Sequence, residues 1–131
     1  MIMKSLILTL ILTAFSYANN TIKITIDNKV INVPQQELKD LYLKKRSTIN
    51  GIKVMPVDTK DNQLFKEFYS KVIKKTPQQL RAYWMKEIFR GDKQPPKRVS
   101  NSALKKLIKQ KTPVLSYSKN SKTGQILLTI K

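Results

Sequence analysis

The sequence predicts an α/β domain, a small mixed sheet with helices packed on it. Thr21-Ile22-Lys23-Ile24-Thr25-Ile26 alternates polar and β-branched apolar residues with the period of a strand that buries one face. Leu64, Phe65, Phe68, Tyr69, Val72 and Ile73 recur instead at the spacing of a single helical face. The two periodicities succeed one another along the chain, and that interleaving favours helices layered on a sheet.

The elements follow in order. After the first strand, Asp27-Asn28-Lys29 reads as a turn and Val30-Ile31-Asn32-Val33 as a second short strand. Pro34 opens a helix with Leu38, Leu41 and Tyr42 on one face, ending in Lys44-Lys45-Arg46, where cations suit the helix dipole. Asn50-Gly51 is a turn dipeptide, and residues 52–57 read as one short strand whose Pro56 marks an edge position or the strand's end. The loop Asp58-Thr59-Lys60-Asp61 leads into the second helix, with Asp61 the better cap. Thr76-Pro77-Gln78-Gln79 supplies a hydroxyl cap, Pro at the first helical position and a Gln to complete a capping box. The stripe of this third helix is Leu80, Tyr83, Trp84 and Ile88, with Arg81 beside it. Gly91 ends it, and residues 92–98 are expected to be an extended loop, because neither Pro95 nor Pro96 continues a helix. Ser100 or Asn101 caps a fourth helix with Ala103, Leu104, Leu107 and Ile108 inward, and residues 114–117 and 125–130 close the chain as strands. Phe68, Leu80, Trp84 and Leu107 are expected in the core.

The N-terminus reads differently from the rest. Residues 1–4 supply one positive charge, residues 6–15 are an almost unbroken apolar run, and Ser16-Tyr17-Ala18 places small residues at the positions a signal peptidase reads. The expected organisation is a secretory signal peptide, 1–18, followed by one domain, 19–131. The apolar run is roughly half the length of a bilayer span, so a retained anchor is the weaker reading. No Cys follows it to carry a lipid, and none is present to form disulfides in an oxidising compartment. Removal of the leader leaves 113 residues and takes away Lys4, so that a formal charge of +18 becomes +17.

Such a charge ordinarily suggests nucleic acid. An exported chain rarely meets it, however, and 22 of the 26 basic residues are Lys, which lacks the bidentate fork of Arg. No nucleic-acid partner is expected. The charge points instead to small anions, to an anionic membrane surface, or to nothing more than a solvated Lys exterior.

Elimination limits the chemistry. With no His and no Cys there is no imidazole base, no thiol nucleophile and no ordinary zinc or copper site, so neither a metal nor a cofactor is expected. Glycine occurs only at 51, 91 and 124, which excludes a glycine-rich phosphate loop. Asp58 and Asp61 form a carboxylate pair beside a helix start, where capping is a commoner role than acid–base work. Phe65, Phe68, Tyr69, Tyr83, Trp84 and Phe89 could present a sugar or ring platform, although at helical spacing such aromatics are more often core. The chain is therefore not expected to be an enzyme.

Residues 38–96 carry a more specific pattern. It runs Leu41-Tyr42-Leu43, then Asn50-Gly51, Val54-Met55-Pro56-Val57-Asp58, Phe65 and Phe68-Tyr69, Gln79-Leu80-Arg81-Ala82-Tyr83-Trp84, Phe89-Arg90-Gly91 and Gln94-Pro95-Pro96. In this order the sequence resembles a family of short secreted proteins related to the phosphate-binding component of ABC transporters, within the type II periplasmic-binding-protein superfamily. The similarity weakens after Lys111, where Pro113-Val114-Leu115-Ser116-Tyr117 stands in place of the family's glycine-containing strand.

The resemblance implies a periplasmic solute-binding-like protein with a single-lobe type II periplasmic-binding-protein-like fold, associated with transport or sensing. It also implies a small-anion site, phosphate for example, at the helix start formed by Thr59, Lys60 and Asn62, with help from Arg81. Arg81 reads equally well as a solvated helix residue. That loop lacks the Gly of the large relatives and carries two carboxylates that repel phosphate, while two-lobed relatives close on their ligand with a second wall. A different reading is therefore a ligand-free interaction module that docks on a membrane sensor, a transporter or a second copy of itself. Gln94-Pro95-Pro96 would lie beside the exposed face or serve only as a rigid connector.

Overall fold

The computed structural model describes residues 21–91 and 93–131, so the expected signal peptide and Asp92 lie outside the described residues. Strands β1 (Thr21–Ile26) and β2 (Lys29–Pro34) form a hairpin with Ile24 opposite Ile31. Its two-residue turn holds Asp27 and Asn28 at φ 49° and 61°, the positive angles that match the twist of paired strands. Helix α1 (Gln35–Tyr42) follows, its Leu38, Leu41 and Tyr42 fully buried as the stripe demands.

Residues 52–57, expected as one strand, divide between two sheets. Ile52–Lys53 (β4) pairs with Thr48–Ile49 (β3) around Asn50-Gly51, whereas Met55–Thr59 (β5) enters the main sheet. Pro56 is consequently not on an edge strand, since β5 lies between β7 (Val114–Lys119) and β6 (Lys97–Val99). It is tolerated for a local reason. The Met55 N–H points to β7, donating to the Pro113 carbonyl at 2.8 Å, so position 56 faces the other side, and β6 pairs only from Val57 onward.

With β8 (Ile126–Ile130) the main sheet has six strands in the order β2-β1-β8-β7-β5-β6. It is mixed: β1 runs parallel to β8 and β5 parallel to both neighbours, while β1–β2 and β7–β8 are antiparallel. The α/β expectation holds in this form.

The second helical stretch is α2 (Asn62–Phe68) continued by one π-helical turn, Tyr69–Ile73, that ends on Lys74 at φ 61°. Asp61 caps α2, its Oδ1 accepting from the N–H groups of Gln63 and Leu64 at 3.0 and 3.2 Å. Helix α3 (Pro77–Phe89) starts on the expected capping box, in which Thr76 and Gln79 satisfy each other's backbone N–H, and Gly91 follows it at φ 84°. Helix α4 (Asn101–Ile108) is capped by Ser100. The end of the proline loop is not extended coil, because Lys97-Arg98 belong to β6.

One face of the sheet carries the larger core, built from Ile24, Leu38, Tyr42, Phe68, Leu115 and their neighbours; Val57, Val99 and Val114 form a smaller cluster under α4. Leu107 is only partly buried and packs on that smaller cluster, not in the main core. The α3 stripe is likewise shorter than its spacing suggests. Leu80 and Trp84 are buried, but Ile88, one turn further on the same face, is 54% exposed, and Phe89 is 94% exposed. The helix outruns the layer beneath it, so Phe89 does not join the aromatic core.

Candidate functional site

In β5, Val57 faces the cluster under α4 and the next side chain, Asp58, faces the aromatic side of the sheet. Asp58 is 2% exposed and is the one buried charged residue among the described residues. Both its oxygens are satisfied: the Tyr69 hydroxyl donates to Oδ2 at 2.8 Å and the Tyr117 hydroxyl to Oδ1 at 2.9 Å. Tyr117 in turn accepts from the Thr59 N–H at 3.4 Å and lies flat on Phe68, with ring centroids 3.8 Å apart. Tyr42 stands edge-on to Phe68, Tyr69 and Tyr117, and its hydroxyl donates to the Val57 carbonyl at 3.1 Å.

Burial pushes the Asp58 carboxyl up from its ordinary 3.8 to about 6, against the pull of the two tyrosine hydrogen bonds and the charges of Arg98 and Lys44. The same burial, reinforced by the neighbouring carboxylate, raises the phenols of Tyr42, Tyr69 and Tyr117. These tyrosines therefore act as donors, not as bases. With both oxygens occupied, Asp58 ties β5 to β7 through Tyr117 and to the end of the second helical stretch through Tyr69.

Above Asp58 opens a groove of about 490 Å³. Phe65 and Tyr69 form one wall, and Leu80, Trp84, Met85 and Ile88 of α3 form the other. Pro95 and Pro96 close one side. The polar groups on this apolar lining are chiefly cationic: Lys66, Lys75, Arg81 and Arg98, with Asn62 beside them. Arg98 is fixed in place, its Nε donating to the Thr59 carbonyl and its Nη2 to Asn62 Oδ1, both at 2.8 Å, with its guanidinium 4.2 Å from the centre of the Phe65 ring. The ion pairs among the described residues lie elsewhere, at Arg46–Glu37, at Glu67 with Lys71 and Lys119, and at Arg90–Glu87. None draws on a groove cation.

Of the four residues expected to hold an anion, Asn62 and Arg81 line this groove. Thr59 faces a cleft of about 20 Å³ beside Val99 and Asn101, and its hydroxyl accepts from the Asp61 N–H at 3.1 Å. Lys60 is exposed, with its N–H on the Val99 carbonyl at 3.3 Å. The Gln63 and Leu64 N–H groups at the start of α2 are met by Asp61 itself. Sequence reasoning missed Lys66, Lys75 and Arg98 as groove residues and Asp58 as its buried floor. The signal for Asp58 was its place one residue after Val57 in an apolar strand. No local pattern announces that β6 brings Arg98 beside Asn62.

Among the described residues no three His, Cys, Asp or Glu side chains gather as a metal site would require, and no helix is long and apolar enough to cross a membrane. Comparison with protein-family models, with curated proteins and with solved structures yields no match. The groove offers positive charge at its exposed cations and aromatic and aliphatic surface within.

Proposed function

We propose that the chain is a secreted, non-catalytic solute-binding module that holds an anion in the groove between α2 and α3. The observation that carries this reading is that Lys66, Arg81 and Arg98 line one concavity with no ion-pair partner for them among the described residues; the Lys75 ammonium lies over the Tyr83 ring, 5.6 Å from its centre. Cations of one sign around a low-dielectric wall focus the field and draw anions in. The presence of Asn62 and Arg81 on that groove supports the proposed kinship with single-lobe type II periplasmic-binding-protein-like folds, as does the mixed sheet with helices on it. Export and a role in transport or sensing belong to the same proposal, resting on the N-terminal sequence and on the motif resemblance.

The test is calorimetry of the folded protein with acetate, octanoate, phosphate and sulfate at low salt. Saturable 1:1 binding of at least one anion, lost in Arg81→Glu, is expected. Absence of heat with every anion would remove the reading.

A second reading has its own observation. Met85 on the groove wall and Phe89 one turn beyond it, 73% and 94% exposed, extend the apolar surface of α3 past the groove, as a contact face would. On this reading the chain is an interaction module for a membrane transporter or sensor, or for a second copy. The high positive charge opposes self-association, so sedimentation as a monomer at low salt and a dimer at high salt is the behaviour that would favour a homo-oligomer.

A further inference from the structure

We infer that the groove takes an anion carrying an apolar chain, a single-chain fatty carboxylate, rather than a bare inorganic ion. The inference rests on the anion-binding reading above and specifies its ligand.

The lining itself argues for a chain. A small hydrated anion is held best by converging N–H and O–H donors, yet the surface between the cations is Phe65, Leu80, Trp84, Ile88 and the Pro95-Pro96 pair. An inorganic ion placed there would lose hydration against apolar walls and leave those walls wet. An alkyl chain removes this surface from water, including the half-exposed Ile88, while a terminal carboxylate meets the cations at the rim. The volume, about 490 Å³, falls within the range of about 300–1,000 Å³ typical of small-molecule sites.

Charge selects among occupants. A neutral lipid would leave the rim cations unmatched, and a second copy of this chain would bring like charges together. Arg98 already spends two N–H groups on Thr59 and Asn62, whereas Lys66 and Arg81 make no hydrogen bond or ion pair to another side chain among the described residues. They are the cations placed to meet a headgroup.

Trp84 is the sole Trp of the chain and lines the groove, so its fluorescence reports occupancy directly. Titrations below the micelle concentration would compare dodecanoate with acetate and phosphate, which carry a headgroup without a chain, and with dodecyl maltoside, a chain without a charge. Dodecanoate is expected to bind at least tenfold more tightly than the others. Arg81→Gln and Ile88→Ser, both at exposed positions, should each weaken dodecanoate several-fold, as the loss of a headgroup contact and of a chain contact respectively.

Phosphate or acetate binding as tightly as dodecanoate would overturn the inference while leaving an anion site in place. Equal binding of dodecyl maltoside would overturn the role given to charge. A protein shown to be folded that responds to no anion would overturn both the inference and the reading beneath it.

Discussion

The Tyr117 hydroxyl donates to Asp58 Oδ1 at 2.9 Å across the neighbouring strands β7 and β5. The parallel register that sets Met55 against Val114 and Pro56 against Leu115 leaves Asp58 level with Tyr117 two residues further on. A carboxyl and its donor thus come from positions 59 residues apart, matched by strand pairing.

The carboxyl sets a pH dependence with a definite sign. Asp58 titrates at about 6 when folded against an ordinary 3.8, so the folded state holds this proton more tightly than the unfolded chain. The contribution is therefore fully present below the ordinary value and is lost as pH rises through about 6. Each pKa unit corresponds to about 1.4 kcal/mol, so stability should fall by up to about 3 kcal/mol from about pH 4 to about pH 7. Glu67, held low by Lys71 and Lys119, acts in the opposite sense and only at lower pH. Urea melts across this range are the measurement. In Asp58→Asn the fall should vanish, even though the amide can accept from only one of the two tyrosine hydroxyls and overall stability drops for that reason; an unchanged slope would assign the titration to another group.

Tyr117→Phe keeps the ring on Phe68 but removes the donor to Asp58 and the acceptor of the Thr59 N–H. A loss of about 1–3 kcal/mol is expected, because a buried carboxyl is left short of a partner. The midpoint of the Asp58 titration should also move further up. NMR of the Asp58 carboxyl carbon would read that shift, and a midpoint that moves down would contradict the arrangement.

Along α3 the expected effects diverge within five residues. Trp84→Ala truncates a large buried side chain and should destabilise by about 3–5 kcal/mol. Phe89→Ser, at a position 94% exposed, should change stability by less than about 0.5 kcal/mol. Comparable losses in the two variants would mean that the end of α3 is covered.

Asp61→Ala should weaken α2 by about 0.5–2 kcal/mol, the usual range for losing an N-cap. The variant frees the Gln63 and Leu64 N–H groups. If these donors are not the anion site, its affinity for anions should not increase by more than the removed negative charge explains, a comparison that Asp61→Asn makes directly.

Local signals told most of the fold. The β1–β2 turn, the Asp61 cap and the Thr76 capping box depend on residues within a few positions of one another, and each stands where the sequence places it. What escaped depends on distant partners. Val54 separates two strands because β5 finds β7, and Asp58 leaves the loop for the sheet for the same reason. Ile88 keeps helical spacing with Leu80 and Trp84, yet periodicity says nothing of where the layer beneath ends. The groove was legible in half: the sequence points to Asn62 and Arg81, while nothing in it distinguishes Lys66 from the other Lys and Arg98 stands in an expected loop.

The central claim is that groove cations hold an anion at short range, and salt separates this from a diffuse positive surface. Trp84 fluorescence should be titrated with the anions at about 0.01 M and about 0.15 M ionic strength, where the Debye length falls from about 30 to about 8 Å. Wild-type protein is compared with the double variant Lys66→Glu/Arg81→Glu. The account predicts saturable 1:1 binding that survives the higher salt with a modest loss and disappears in the double variant. Binding that vanishes with salt for every anion alike, or that the double variant retains, would contradict it.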